Sequence, residues 1–239
     1  MSDRPALDFE AVWEVASTIP GWLTEEQAKL LFDTARDLSS APLLLEIGSH
    51  QGKSTIVLAS AALAQGGQVV AVDPFVDGRL FGGASTRTKF ENNLREAALG
   101  DAVELLPEYS TRARPTWTRD IDYLYIDGKH DYWTLADDLK WAEHLPDGAP
   151  ILVHDCYSSI GVTLGVLAHV LPSRTIRYER RCGSMALFRV GRPSWEDRRR
   201  ILREVPWWLR NVLVKILLRL RLRPVASRLF GHEGPYDPY

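Results

Sequence analysis

The stretch Glu46-Ile47-Gly48-Ser49-His50-Gln51-Gly52-Lys53-Ser54-Thr55 decides the fold of this chain. It continues the apolar run Leu43-Leu44-Leu45, which has the pattern of a buried strand, and it opens a helical stretch over 54–65 that Gly66-Gly67 stops. A glycine turn between a strand and a helix lets backbone N–H groups approach a ligand closely. Two nucleotide-binding patterns fail on it. The P-loop, GxxxxGK[ST], would share Gly52-Lys53-Ser54, but its first glycine falls on Ile47. The dinucleotide fingerprint, GxGxxG, needs glycine where His50 stands. What remains is an acid, one residue, then glycine-x-x-x-glycine.

Outward from this turn, strands alternate with helices. Residues 8–37 read as helical with a break at Ile19-Pro20-Gly21, and Thr24-Glu25-Glu26-Gln27 reads as a capped helix start. Strands are expected at 68–73, 103–106, 121–127 and 151–155, and helices at 88–99, 132–144 and 161–170. Residues 175–179 and 185–190 flank Arg180-Arg181-Cys182-Gly183 as an antiparallel hairpin. Glycines at 78, 82 and 83 mark 76–87 as a mobile loop able to act as a lid. The expected architecture is α/β: a Rossmann-like, doubly wound, mostly parallel seven-stranded sheet closed by a C-terminal hairpin. Helices precede it, and a basic amphipathic helix follows it.

Composition narrows the class. Hydrophobic residues at 45% and charged residues at 25% of 239 are globular values, which exclude disorder and a multi-span membrane protein. Two cysteines, Cys156 and Cys182, cannot build a disulfide framework, and the start of the chain lacks a basic-then-apolar leader. A reducing, cytoplasmic setting is therefore expected. The net charge of −2 conceals an asymmetry: residues 198–228 hold ten cations against Glu204, a surplus of nine, so the remainder carries −11.

The Glu46–Gly52 turn resembles the first motif of class I S-adenosylmethionine (SAM)-dependent methyltransferases, E/DxGxxxG, and Asp73 stands where their second strand ends in a ribose-binding acid. Tyr125-Ile126-Asp127-Gly128-Lys129-His130-Asp131-Tyr132 is similar to the "IDGDHSY" element of the branch containing metal-dependent sugar O-methyltransferases. Leu152-Val153-His154-Asp155 is similar to its "hD" element. The likeness covers roughly 40–190. It implies SAM contacts from Glu46, Gly48, Gly52, Ser54, Asp73 and, on the adenine side, Ser110. It implies a sugar or oligosaccharide acceptor, at its narrowest a short methylated mannoside of polysaccharide biosynthesis. Lys129 replaces the branch's frequent acid, and His154 stands where some metal-dependent relatives carry a carboxylate.

Asp127 and Asp155 would end neighbouring parallel strands about 4.8 Å apart, so their carboxylates converge above the sheet. Two such charges call for a cation, and Mg²⁺ is the expected one. The expected metal set is Asp127, Asp155 and His154, with His154 either a ligand or an orienter of one. His130 is the expected general base that takes the proton from the attacking hydroxyl, with Asp127 beside it. Phe75, Phe81, Tyr132, Trp133 and Tyr157 are candidate platforms for a sugar face. A phenolic acceptor is the nearest enzymatic alternative. A non-catalytic, membrane-peripheral SAM-binding protein and a phosphotransferase using Lys53 are others.

The chain is expected to divide into an N-terminal helical segment (1–38), a SAM-binding domain (39–192) and a basic amphipathic tail (193–239). Within the tail, Trp208, Val212, Ile216 and Leu220 recur every four residues. It is expected to pack on the domain or on a second subunit of a homodimer, to touch an anionic membrane through 205–230, or to grip a polyanionic substrate. Nucleic acid is not an expected partner of so acidic a body.

Overall fold

The computed structural model describes residues 8–76 and 83–232. Strands β1 (Leu43–Ile47), β2 (Gln68–Val72), β3 (Val103–Leu106), β4 (Tyr123–Ile126), β5 (Pro150–Val153), β6 (Ile176–Cys182) and β7 (Met185–Val190) form one sheet in the order β3-β2-β1-β4-β5-β7-β6. The first five are parallel, while β7 is antiparallel to β5 and to β6. Reversal of strand order between β1 and β4 opens a crevice at their carboxyl ends, the place where such sheets bind ligands. The expected fold class stands.

Both faces are covered, so the strands read as continuous apolar runs with alternate residues feeding two cores. Leu44, Val69, Ala71, Tyr123, Tyr125 and Leu152 point to one layer, made by α1 (Phe9–Ser17), α2 (Glu25–Arg36), α3 (Lys53–Leu63) and α4 (Gly83–Glu96). Leu45, Ile47, Val70, Val72, Leu124, Ile126 and Val153 point to the other. There lie α5 (Ser110–Ala113), α6 (Tyr132–Asp138), α7 (Ile160–Gly165) and the N-terminal half of α8 (Trp195–Arg219). A short α9 (Arg223–Phe230) follows.

Several boundaries differ from expectation. The expected loop over 76–87 gives way to α4 at Gly83, because Thr86 and Phe90 turn inward to the core. Gly78, Phe81 and Gly82 lie outside the described residues. The helix expected over 132–144 tightens to a 3₁₀ turn at Leu139–His144, and α7 continues as a π-turn over Val166–Val170. β6 runs to Cys182 rather than stopping at 179. Its arginines are tolerated because the Arg181 guanidinium lies over Trp207, 3.9 Å from the ring centroid, and donates to Glu204 at 2.6 Å.

Those contacts bring α8 onto the domain. Tyr178 also donates to Glu204, at 2.9 Å, and Ile201, Asn211 and Val214 are buried. Asn211 Nδ2 donates to the Tyr157 carbonyl at 3.2 Å, and Lys215 Nζ to that of Ser158 at 2.9 Å. The outward stripe is Leu202, Pro206, Leu209, Leu213, Ile216 and Leu220, all exposed. Among the described residues no helix is long and apolar enough to cross a membrane.

If the inner face of α8 is core and the outer is not, two truncations separate. Ile201→Ala is expected to cost about 2–5 kcal/mol in urea unfolding, and Leu213→Ala less than about 0.5 kcal/mol.

Candidate functional site

The crevice is built first by the turn after β1. Gly48 adopts φ 89° and donates its N–H to the Val72 carbonyl at 2.9 Å. A Cβ there would lie 2.3 Å from the Asp127 carbonyl oxygen, so only glycine fits the conformation and the space. Gly52, at φ 88°, begins α3, and a Cβ on it would press to 3.2 Å from Phe90.

Asp73, just past β2, is drawn across this turn. Its Oδ2 accepts the N–H groups of Ser49 and His50 at 2.9 Å each, and its Oδ1 accepts that of Phe75 at 2.8 Å. A carboxylate has about four acceptor positions. Three are used within the chain, so capacity remains for a hydroxyl donor in the crevice.

Glu46 lies beneath the turn, 0% exposed, accepting from the hydroxyls of Ser54 and Thr55 at 2.5 Å each. Burial raises its pKa to about 7 against the lowering effect of those bonds. Glu46 and Ser54 thus lock strand to helix. Ser110, at the start of α5, donates to Asp138 of α6. Burial raises Asp138 to about 7, and its Oδ2 is buried without a partner. No sequence pattern marked Asp138. Lys53 Nζ lies 5.1 Å from the Trp13 ring centroid, and His50 stacks near Trp22 with centroids 5.9 Å apart. Lys53 is thus turned to α1 and not into the turn, as a phosphate-binding lysine would be.

One strand over, Asp127, His130, His154 and Asp155 come together. Asp127 Oδ2 accepts from the Tyr125 hydroxyl at 3.0 Å. His130 bridges both carboxylates, with Nε2 3.2 Å from Asp127 Oδ1 and Nδ1 2.7 Å from Asp155 Oδ2. Burial works to lower the imidazole, but Asp127 and Asp155 together raise it to about 10. For Asp155, burial pushes upward, and His130, His154 and Lys215 outweigh it and hold the carboxyl below its usual range. His154 Nδ1 stands 3.3 Å from Asp127 Oδ1 and 3.5 Å from Asp155 Oδ1. Both His154 Nδ1 and Asp155 Oδ1 are buried without a hydrogen-bond partner.

Ligand atoms of Asp127, His130 and His154 lie within 4.8 Å of one another. Orphaned buried lone pairs beside carboxylates are what a cation would satisfy. Magnesium prefers oxygen throughout. Here two carboxylates suit it, but a buried imidazole nitrogen shares the same spot. The donor set therefore fits a dication that accepts nitrogen better than it fits magnesium.

Of the candidate platforms, Phe75 and Tyr157 are core: Phe75 packs on Phe90 and Tyr157 on Tyr178. Trp133 is 76% exposed, with Tyr132 edge-on at 4.9 Å.

Glu46 makes the turn pH-sensitive. Its folded pKa lies above the ordinary 4.5, so between about pH 4.5 and 7 the native chain holds a proton that the unfolded chain has released. Stability therefore falls as pH rises through that window. Glu46→Gln is free of this penalty. Its stability is expected to gain on the wild type from about pH 5 to 7, by on the order of 3 kcal/mol, read from paired urea titrations at each pH.

A model described as "Methyltransferase domain" matches residues 45–156, which span the turn, Asp73, Asp127, His130 and Asp155. Solved structures share the fold at low identity. Cofactor-bound Rv0187 from MTB is 22% identical with a TM-score of 0.60, covering 79% of this chain and 90% of its own. The O-methyltransferase TomG from Streptomyces achromogenes, involved in tomaymycin synthesis and bound to SAM, is 20% identical with a TM-score of 0.57, covering 80% and 91%. The SAH-bound methyltransferase PaMTH1 from Podospora anserina is 14% identical with a TM-score of 0.60, covering 76% and 87%. Residues 45–156 therefore resemble a methyltransferase domain, and the chain has the fold of class I SAM-dependent O-methyltransferases.

Proposed function

We propose that the chain transfers the methyl group of SAM to a hydroxyl of a sugar or short oligosaccharide, a methylated mannoside being the narrowest acceptor. One observation carries the reading: the Gly48 turn, with Asp73 across it, abuts the Asp127 carbonyl, so a donor in the turn would face the acid–imidazole cluster. Glu46, Gly48, Gly52, Ser54 and Asp73 form or support the donor site. Ser110, bonded to Asp138, would meet its adenine side, as the resemblance implies.

In the reaction the hydroxyl oxygen attacks the methyl carbon, the C–S bond breaks with its electron pair going to sulfur, and the hydroxyl proton must leave. His130, its side chain 42% exposed at the mouth of the cluster, would be the group that takes it. Held between two free carboxylates, however, its imidazole keeps a proton to about pH 10 and cannot accept another. A divalent ion on Asp127, Asp155 and His154 would, when bound, polarise the hydroxyl and neutralise both carboxylates. Without those two carboxylate charges facing it, His130 would be a neutral imidazole able to take the proton. Holding methyl and oxygen in line supplies the rest of the acceleration. The exposed Trp133 ring, three residues beyond His130, offers a flat apolar surface to the C–H face of a sugar. The free thiols of Cys156 and Cys182 support a reducing, cytoplasmic setting.

The test is SAM turnover on a panel of mannosides, glucosides and catechols, with SAM binding measured separately by calorimetry. Turnover is expected on a glycoside hydroxyl. His130→Ala is expected to lower kcat about 10²–10⁴-fold with SAM affinity retained. Turnover confined to catechols would replace the sugar reading, and an unchanged kcat would remove His130 as base.

A further inference from the structure

The outer side of the cluster fixes which way His154 presents its nitrogens. Gln27 lies in the first turn of α2, 127 residues from His154, and both are buried. Its amide orientation is set by the capping box: Oε1 accepts the Thr24 N–H at 3.1 Å, and Nε2 donates to Ser184 Oγ at 3.1 Å. The same Oε1 lies 3.2 Å from His154 Nε2. An amide oxygen can only accept, so Nε2 carries the ring proton. In the neutral ring Nδ1 is then an electron pair, aimed between Asp127 Oδ1 and Asp155 Oδ1.

We infer that this site selects a nitrogen-accepting transition dication, of the cobalt or zinc type, over magnesium, and that Gln27 is the positioning residue that makes His154 a ligand. This deepens the reading above and rests on it for its purpose. The spacings support it. Two bonds of about 2.0–2.1 Å at a tetrahedral angle separate their ligand atoms by about 3.3 Å; His154 Nδ1 stands 3.3 and 3.5 Å from the two carboxylate oxygens. Imidazole suits zinc, copper, iron and nickel, whereas magnesium takes carboxylate, carbonyl and water. A neighbour that holds the ring N–H of a ligating histidine fixes tautomer and orientation, and its loss costs about 10–100-fold in metal affinity.

Equilibrium dialysis of the chelated full chain against Co²⁺, with Mg²⁺ as competitor, reads the preference by metal content and by the cobalt absorption spectrum. One cobalt per chain is expected, with visible bands of nitrogen ligation that a hundredfold excess of Mg²⁺ leaves in place. Gln27→Met is expected to weaken cobalt about 10–100-fold, Gln27→Glu to restore it, and His154→Asp to shift the preference to Mg²⁺. Circular dichroism checks the fold of each variant. Absence of bound cobalt, its displacement by stoichiometric Mg²⁺, or full cobalt affinity in Gln27→Met would each overturn the inference. Calorimetry with SAM on the same samples tests the methyl-transfer reading separately.

A different observation carries a second proposal. The outward stripe of α8 is apolar from Leu202 to Leu220, and exposed Leu222, Val225 and Leu229 extend the surface into α9. From 205 to 232 the chain has six arginines and lysines and no acid. Arg219, Arg221, Arg223 and Arg228 are exposed beside the leucines. We propose that this surface docks on an anionic membrane, leucines in the acyl boundary and arginines at the headgroups. A second copy would bring the same positive charge to the contact, without an acid to meet it.

Flotation with vesicles of phosphatidylglycerol and phosphatidylcholine tests this against phosphatidylcholine alone. The full chain is expected to float only with the anionic vesicles, to be released near 1 M salt, where the Debye length is about 3 Å, and to remain unbound as Leu213→Glu/Ile216→Glu. Failure to float overturns the proposal. So does a concentration-dependent dimer that the same double variant dissociates, because the surface then belongs to a second copy.

Discussion

The site depends on a steric constraint: the backbone of Gly48 passes so close to the Asp127 carbonyl that no side chain fits between them. This contact sets the ends of β1 and β4 against each other at the reversal of strand order. The turn held by Asp73 lies on one side of it, and the cluster of Asp127, His130 and Asp155 on the other. Asp73 completes the arrangement by taking the N–H groups of Ser49 and His50, which fixes the turn in the shape the crevice needs. The turn is thus preorganised by charge-assisted bonds rather than by a ligand.

Electrostatics govern the second half. Asp127 and Asp155 put two negative charges beside the half-exposed His130 and the buried His154, in a place where desolvation makes an uncompensated charge costly. The chain answers with the proton on His130. A cation on these carboxylates would compete with that proton, so metal loading and the protonation of His130 would be one equilibrium seen from two sides. The buried Glu46 and Asp138 are both raised to about 7, chiefly by burial, and the charge on Asp127 adds to the rise at Glu46.

Much of the fold was legible because its signals are local. The run at Leu43–Ile47 and the glycines after it define a strand and a turn without help from distant residues, and β1 falls on those residues. Asp127 and Asp155 could be paired from topology alone, since both end neighbouring parallel strands. Long-range choices were not legible. Arg180–Cys182 read as a turn until Glu204 and Trp207, more than twenty residues on, gave Arg181 a partner. Tyr157 read as a sugar platform because nothing nearby in the chain announces Tyr178. Thr24 and Gln27 were visible as a helix start, but the second use of that amide, on a histidine 127 residues away, has no sequence signature.

The segment that follows β5 is held from an unexpected quarter. Asp155 and Tyr157 both sit in the left-handed region, at φ 56° and 59°; aspartate tolerates it, but the bulky Tyr157 keeps it only when its surroundings insist. Asn211 and Lys215 of α8 supply that insistence by grasping the carbonyls of Tyr157 and Ser158. The C-terminal helix is therefore a buttress of the acid cluster. Any occupant of its outer surface that alters this grip is thermodynamically linked to whatever Asp155 binds, and the influence runs equally in both directions.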